Sequence, residues 1–304
     1  MILAAVILWT LVALMVSVGI WGVFIEPNRL EVAELRVPIP RLPQSLAGLK
    51  VAHLSDWHLS GRGSTRAVAE RACQQIMSRA PDLSCLTGDL VTQVVQMPEA
   101  IPLLNSLQAP LGVYLVLGNH DCNATMEDML YGHEPQDCAE DTWRTELSSG
   151  PVALLDNEAR RAECGDARIV VAGVGDVTAG RDDLPRTMSV APAGDLHILL
   201  SHSPDILDEP EVEWADLVLC GHTHGGQLVL PGYGSVWAPV WRLRHRASGL
   251  WRMNGTLAFI TRGVGSGFRM RINCQPEVAM LELHPGTAED VPETPQVSRG
   301  EVGA

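Results

Sequence analysis

The chain has 304 residues, 46% apolar and 19% charged, long enough to bury a sizeable core as one large domain or two ordinary ones. A net charge of −14 excludes general nucleic-acid binding, which needs a basic surface, and suits a protein that holds divalent cations. Seven cysteines at irregular spacing, without a CxxC pair, exclude a zinc ribbon or a disulfide framework, and the odd count favours a reducing compartment.

Residues 2–25 carry no charge and are mostly Leu, Val, Ile and Ala, with Trp9 and Trp21 towards the ends. About twenty apolar residues cross roughly 30 Å of hydrocarbon as a helix. A cleaved signal peptide would show a basic n-region and a small-residue cleavage site, and a core helix would show a polar face. Neither is visible, so the stretch reads as an uncleaved, single-pass transmembrane anchor. Arg29, Arg36 and Arg41 follow it closely, and the positive-inside rule puts the body of the protein in the cytoplasm.

Residues 26–48, with Pro38, Pro40 and Pro43 clustered, read as an extended linker or edge strand. Lys50 to Ser55 is a strand that delivers Asp56-Trp57-His58, and Ser64 to Arg79 is a helix with Ser64 as its cap. Leu83 to Thr87 is a strand ending at Gly88-Asp89. Gly112 to Leu117 is another, short, partly β-branched and ending at Gly118-Asn119-His120-Asp121. Trp143 to Leu147 looks helical. Strands follow at Arg168–Ala172, His197–Leu200, Leu217–Cys220, Leu257–Ile260 and Val278–Leu283. The second and third of these deliver His202 and Gly221-His222-Thr223-His224. From Gly286 onward the chain has no aromatic residue and no periodicity, and it reads as a disordered tail, 286–304.

Each of these motifs sits where a predicted strand ends. Together they supply Asp56, His58, Asp89, Asn119, His202, His222 and His224. Such carboxylate, amide and imidazole donors, with no thiolate, suit borderline divalent ions such as Mn, Fe, Zn or Ni. Seven ligands are too many for one ordinary site and fit two ions sharing a carboxylate, about 3.5–4 Å apart, clamping both oxygens of a phosphoryl transfer. Singly the motifs are weak, since a lone Asp-x-His or Gly-Asp is more often a surface turn. Five of them at successive strand ends are not.

In this combination the chain resembles the calcineurin-like metallophosphoesterases over residues 49–285. The resemblance implies an α/β fold, a four-layer α/β/β/α sandwich preceded by one N-terminal transmembrane helix. It also implies that Asp56, His58 and His224 bind one metal and Asn119, His202 and His222 the other, with Asp89 bridging. Two divalent ions, manganese favoured, would hold a bridging hydroxide that attacks phosphorus in line. His120 matches the family's non-ligand histidine, which stabilises the transition state or protonates the leaving oxygen, and Asp121 would orient its ring unless it is a plain turn carboxylate.

From Ser235 to Pro276 there is no Asp or Glu, yet there are seven arginines, interleaved with Trp237, Trp241 and Trp251. Arg242, Arg244, Arg246 and Arg262 read as substrate-binding, a basic wall facing a diphosphate or an anionic lipid surface. The alternative is an Arg/Trp-rich hairpin packed on the sandwich edge. The anchor, the His202-Ser203-Pro204-Asp205 run and His224-Gly225-Gly226-Gln227 resemble a membrane-tethered subgroup similar to the UDP-2,3-diacylglucosamine pyrophosphatases of lipid A biosynthesis. The acidic segment Cys122–Asp141 departs from the family's pattern and reads as a cap over the site or a surface loop. The expected function is hydrolysis of a phosphoester or lipid diphosphate at the membrane. The alternatives are a broad-specificity phosphodiesterase or phosphomonoesterase, and a non-catalytic metal-binding scaffold.

Overall fold

The structure, a computed structural model, describes residues 2–61, 63–122, 141–240, 247–253, 255–287 and 291. Segment 123–140, Arg242, Arg244, Arg246 and nearly all of 286–304 lie outside them, so the expectations placed there are not addressed. In chain order the first half runs α1 (Ile2–Ile20), β1 (Glu31–Ile39), β2 (Leu49–Leu54), α2 (Gly63–Met77), β3 (Leu83–Thr87), α3 (Met97–Leu104) and β4 (Val113–Val116). Then come α4 (Asp141–Ser148), β5 (Val152–Leu154), β6 (Glu158–Cys164), β7 (Ala167–Gly173), α5 (Leu184–Val190), β8 (Leu196–Ser201) and β9 (Leu217–Cys220). A short hairpin, β10 (Val229–Leu230) and β11 (Gly234–Ser235), precedes β12 (Gly249–Met253), β13 (Thr256–Ile260) and β14 (Glu277–Pro285).

Two six-stranded sheets form, in the orders β1-β14-β2-β3-β4-β5 and β12-β13-β9-β8-β7-β6. Parallel pairing dominates the middle of each, as expected for strands buried on both faces and reading as near-continuous apolar runs. The period of two sorts side chains to opposite faces. Val51, Leu83, Cys85, Tyr114 and Val116 of the first sheet meet Ile169, Val171, Ile198, Leu200, Leu219 and Phe259 of the second in a shared core. On the other face of the first sheet, Ala52, Leu54, Leu86 and Leu115 pack under α2, α3 and α4 through Ala72, Ile76, Ile101, Leu104 and Leu147. Behind the second sheet, Leu199, Val218 and Ile260 are covered by Leu184 of α5 and by Ile206, Leu207 and Val212 from 3₁₀ turns. The result is the four-layer α/β/β/α sandwich, its last layer made largely of short turns.

Residues 31–39, inside the stretch read as linker or edge strand, are the nine-residue β1 at the edge of the first sheet, parallel to β14. Of the two alternatives, these residues form the edge strand, and an edge tolerates a residue such as Pro38 that has no N–H. Helix α3 was not anticipated, because it contains Pro98 and Pro102. Pro98 falls in the first turn, where no intrahelical N–H is required, and only Pro102 interrupts the ladder.

Helix α1 continues through a π turn, Trp21–Ile25, and a 3₁₀ turn, Glu26–Asn28, and buries none of its own side chains. Within the span Ile2–Asn28 an 18-residue window has mean hydropathy 2.5, and the span is long and apolar enough to cross a membrane by length and composition. Its foot is docked to the domain. Gly22 O accepts from Arg271 N at 2.9 Å, and the buried Glu26 carboxylate accepts from Trp21 Nε1 and Cys274 N.

Candidate metal centre

All seven candidate ligands arrive at one edge, where the C-terminal ends of β2, β3 and β4 face those of β8 and β9. Backbone hydrogen bonds tie neighbouring turns together: Asp56 N to Gly88 O, His58 N to Asp89 O, and Gly221 N to His202 O. Two bonds cross between the sheets, His202 Nδ1 to Thr87 O at 2.6 Å and His222 N to the Asp56 carboxylate at 3.2 Å. These tight turns need left-handed backbone, and Asp56, His58, Asp89, His222 and His224 all have positive φ. Conformations of that kind cost energy and persist at functional sites because the surroundings hold them. Gly88, at φ +82°, is required twice over, since a Cβ there would collide with the backbone of Gly118.

Asp89 is the hub. Its Oδ2 stands 3.3 Å from His58 Nε2 and 3.3 Å from His202 Nε2, while its Oδ1 accepts from His120 N at 3.0 Å. Asp56 Oδ1 lies 3.9 Å from His58 Nε2 and 3.7 Å from His224 Nδ1. Ligand atoms of Asp56, His58 and His224, and of Asp89, His202 and His222, fall within 4.8 Å of one another, as do those of His58, Asp89 and His120.

Hydrogen bonding sets the tautomers. A carbonyl only accepts, so Thr87 O holds the proton of His202 on Nδ1 and Pro239 O, 3.0 Å from His222 Nε2, holds that of His222 on Nε2. The remaining nitrogens, His202 Nε2 and His222 Nδ1, lie 3.1 Å apart. Such a pair is kept from repelling by a proton on His202 Nε2, which Asp89 favours, or by a cation among them. Buried Asn119 Oδ1, both ring nitrogens of His58 and His224 Nδ1 lack a hydrogen-bond partner. Orphaned acceptors are costly in a low-dielectric interior, and divalent ions remove that cost. The donor set fits two such ions.

The electrostatics agree. Burial alone would raise the Asp89 carboxyl, but His202 and His120 pull it well below the usual carboxylate range, so it stays charged. Burial, reinforced by the neighbouring imidazoles, pushes His222 down to about 3 and His224 well below its ordinary value. Neutral imidazoles are the form that ligates metal. At His202, which Asp89 raises well above its ordinary value despite burial, a metal would have to displace a proton.

Two sequence expectations need correcting. Asp121 does not orient His120. Its Oδ2 accepts from Gly118 N and its Oδ1 from Leu90 N and Val91 N, so it braces the turns after β3 and β4. The His120 ring is held instead by Thr92 O, 3.0 Å from Nδ1. Arg262 does not face a substrate either. Its guanidinium is enclosed between Glu277 and Glu31, which raise its pKa despite burial. Arg271 is fully buried on the carbonyls of Arg262, Gly263, Gly265 and Cys274, and Arg269 donates to Asn28 Oδ1. These three arginines of the acid-free stretch are therefore structural. Pattern reading missed the carbonyls of Thr87, Thr92 and Pro239, and the buried Asp176, whose charge acts on His202; distant packing sets these roles and leaves no local signal. Only Asp176, placed just after a strand like the other acids, carried a hint.

Residues 49–226 match the model of the calcineurin-like phosphoesterases. Phosphodiesterase YaeI of Escherichia coli is 32% identical over 268 residues, covering 86% of this chain and 90% of that one. The uncharacterized metallophosphoesterase YkuE of Bacillus subtilis is 28% identical, over 86% of this chain and 87% of that one. The UDP-2,3-diacylglucosamine pyrophosphatase LpxG of Chlamydia trachomatis is 27% identical, over 90% and 95%. With buried carboxylates and imidazoles converging at the strand ends of a four-layer sandwich, this chain belongs to the calcineurin-like phosphoesterase family and is a metal-dependent phosphoester hydrolase.

Proposed function

We propose that the chain is a membrane-anchored phosphoesterase that cleaves an amphiphilic diphosphate, such as UDP-2,3-diacylglucosamine, with two divalent ions. Asp56, His58 and His224 would hold one ion and Asn119, His202 and His222 the other, with Asp89 shared between them. The observation that carries the reading is Asp89 Oδ2, set 3.3 Å from two imidazoles and ringed by orphaned acceptors. When bound, the ions supply Lewis acidity and an activated water.

The chain's own groups do the rest. Asp89 keeps its negative charge at the centre, and Thr87 O and Pro239 O keep His202 and His222 in ligating tautomers. Thr92 O fixes the proton of His120 on Nδ1 and leaves Nε2 as the atom that, once protonated, serves the leaving oxygen. His120 and His224 are the half-exposed members of the cluster, so substrate enters on their side. Support for the lipid diphosphate comes from the LpxG relative, which spans nearly the whole chain, and from the apolar helix α1. Arg29, Arg36 and Arg41 favour a cytoplasmic domain.

The test uses the full chain in detergent with Mn²⁺, with an Asn119→Ala control. A generic phosphodiester, a generic monoester and UDP-2,3-diacylglucosamine are assayed in parallel. UMP release from the lipid nucleotide alone is expected. Turnover of only the generic phosphodiester would leave a broad phosphodiesterase, the activity named for the YaeI relative, and no metal-dependent turnover would refute the enzyme.

A further inference from the structure

Outside residues 2–25, the described residues expose large apolar side chains at Val95, Val190 and five further positions: Leu230, Tyr233, Val236, Trp237 and Phe268. Those five belong to one structural unit, the β10–β11 hairpin with its flanks. Gln227 and Val229 pair with Ile272, at 2.8 and 3.0 Å, and the Gln227 amide donates to Phe268 O and Met270 O, which places the 266–272 loop beside the hairpin. Contiguous exposed apolar surface of this kind on an otherwise well-packed domain marks an interaction site.

The foot of α1 says what covers it. A Cβ on Gly22 would stand 3.1 Å from Ile272 Cγ1 and 3.5 Å from Met270 Cγ, so the helix leaves the domain against the strand-like segment that also carries the hairpin. Gly22 lies in the last turn of the apolar stretch, which ends at Ile25, beside Trp21, a residue type that settles where hydrocarbon gives way to headgroups. Tyr233 and Trp237 are the residue types that settle at that depth. Charge agrees with position. From His224 to Pro276 the chain has no Asp or Glu, although it holds 36 acidic residues in all, so this segment adds no carboxylate to repel anionic headgroups. Glu26, Glu31 and Glu277 beside it are taken up by its own N–H groups and Arg262.

We infer that the β10–β11 hairpin, with Trp237 and Phe268, is a second membrane contact: it rests in the headgroup layer of the leaflet that α1 leaves and lays the opening of the metal centre on the bilayer. The route from lipid to metal is short. His224 is three residues before Gln227, Gly226 is packed against Ser235 and the Trp237 carbonyl, and Cys274 donates to His224 O. An amphiphilic phosphoester can then present phosphorus to the centre with its acyl chains still in the membrane, whereas a water-soluble ester needs no such contact. The inference rests on reading α1 as a membrane span.

The test compares the full chain with Trp237→Phe in nanodiscs of phosphatidylethanolamine and phosphatidylglycerol, with or without acyl chains brominated near the headgroup. Bromine quenches indole emission by contact, and the wild-type minus Trp237→Phe difference isolates Trp237. Quenching of that difference is expected. An unquenched difference, with Trp9 and Trp21 emission still quenched in the variant, overturns the hairpin contact and leaves α1 in place. No quenching at all overturns both. A second variant, Tyr233→Ser with Phe268→Ser, should lower turnover of a bilayer-resident lipid diphosphate about tenfold and leave a soluble phosphodiester unchanged. Equal losses on both substrates would mean a damaged centre and overturn the inference.

Discussion

His53 makes stability depend on pH through a group that belongs to no metal ligand. It sits on β2 in the core between the sheets, fully buried, edge-on to Phe259 with ring centroids 5.8 Å apart. Cys85 and Ala279 flank it on the neighbouring strands, its Nε2 meets Thr87 Oγ1 at 2.9 Å, and its Nδ1 has no partner. Burial pushes its pKa from 6.5 down to about 3. The folded state therefore holds the ring neutral while the unfolded chain takes up a proton below 6.5. The stabilisation is complete above that value and is lost as the pH falls towards 3. Between pH 8 and pH 5 the loss is about 2 kcal/mol. His53→Gln keeps a hydrogen bond to Thr87 and cannot titrate. In urea unfolding of the full chain in detergent, the wild type should lose about 2 kcal/mol more than the variant over that interval. Comparing each protein with itself cancels the cost of the substitution and the contributions of other groups. Equal losses would show that His53 is not held neutral by burial, and the argument would fail.

His120→Ala should lower kcat by roughly 10²–10⁴-fold while both metals stay bound, measured by steady-state kinetics and elemental analysis, whereas loss of metal would make His120 a ligand. Arg262→Met strands the Glu31 and Glu277 carboxylates and should destabilise the domain by about 3–5 kcal/mol. A raised KM at unchanged stability would instead restore the substrate-contact role. In Gly221→Ala the new Cβ stands 2.5 Å from Asp56 Oδ2, so metal affinity should fall by about 10–100-fold in a chelator titration while the domain stays folded.

The candidate site was legible in the sequence because each candidate ligand lies within a few residues of an apolar run that reads as a strand. Asp56, His58, Asp89, Asn119, His202, His222 and His224 needed no tertiary knowledge to be collected, since parallel strands of an α/β sheet put their C-terminal turns on one edge. Strand positions were read for the same reason: burial on both faces demands continuous apolar character, as in Leu83–Thr87 and Leu217–Cys220. Where proline interrupted that character, in α3, pattern reading stopped.

What tertiary structure alone decided is which partner each polar group takes. Asp121 adjoins His120 in sequence but spends its oxygens on three backbone N–H groups, and the ring is held by Thr92, 28 residues away. Arg262 reads like its neighbouring arginines until Glu31, 231 residues distant, closes over it. A residue's type and the end of a strand are local properties, set by covalent chemistry and the period of two. Hydrogen bonds and ion pairs depend on what the folded chain brings within about 3 Å, and no spacing in the sequence encodes that distance.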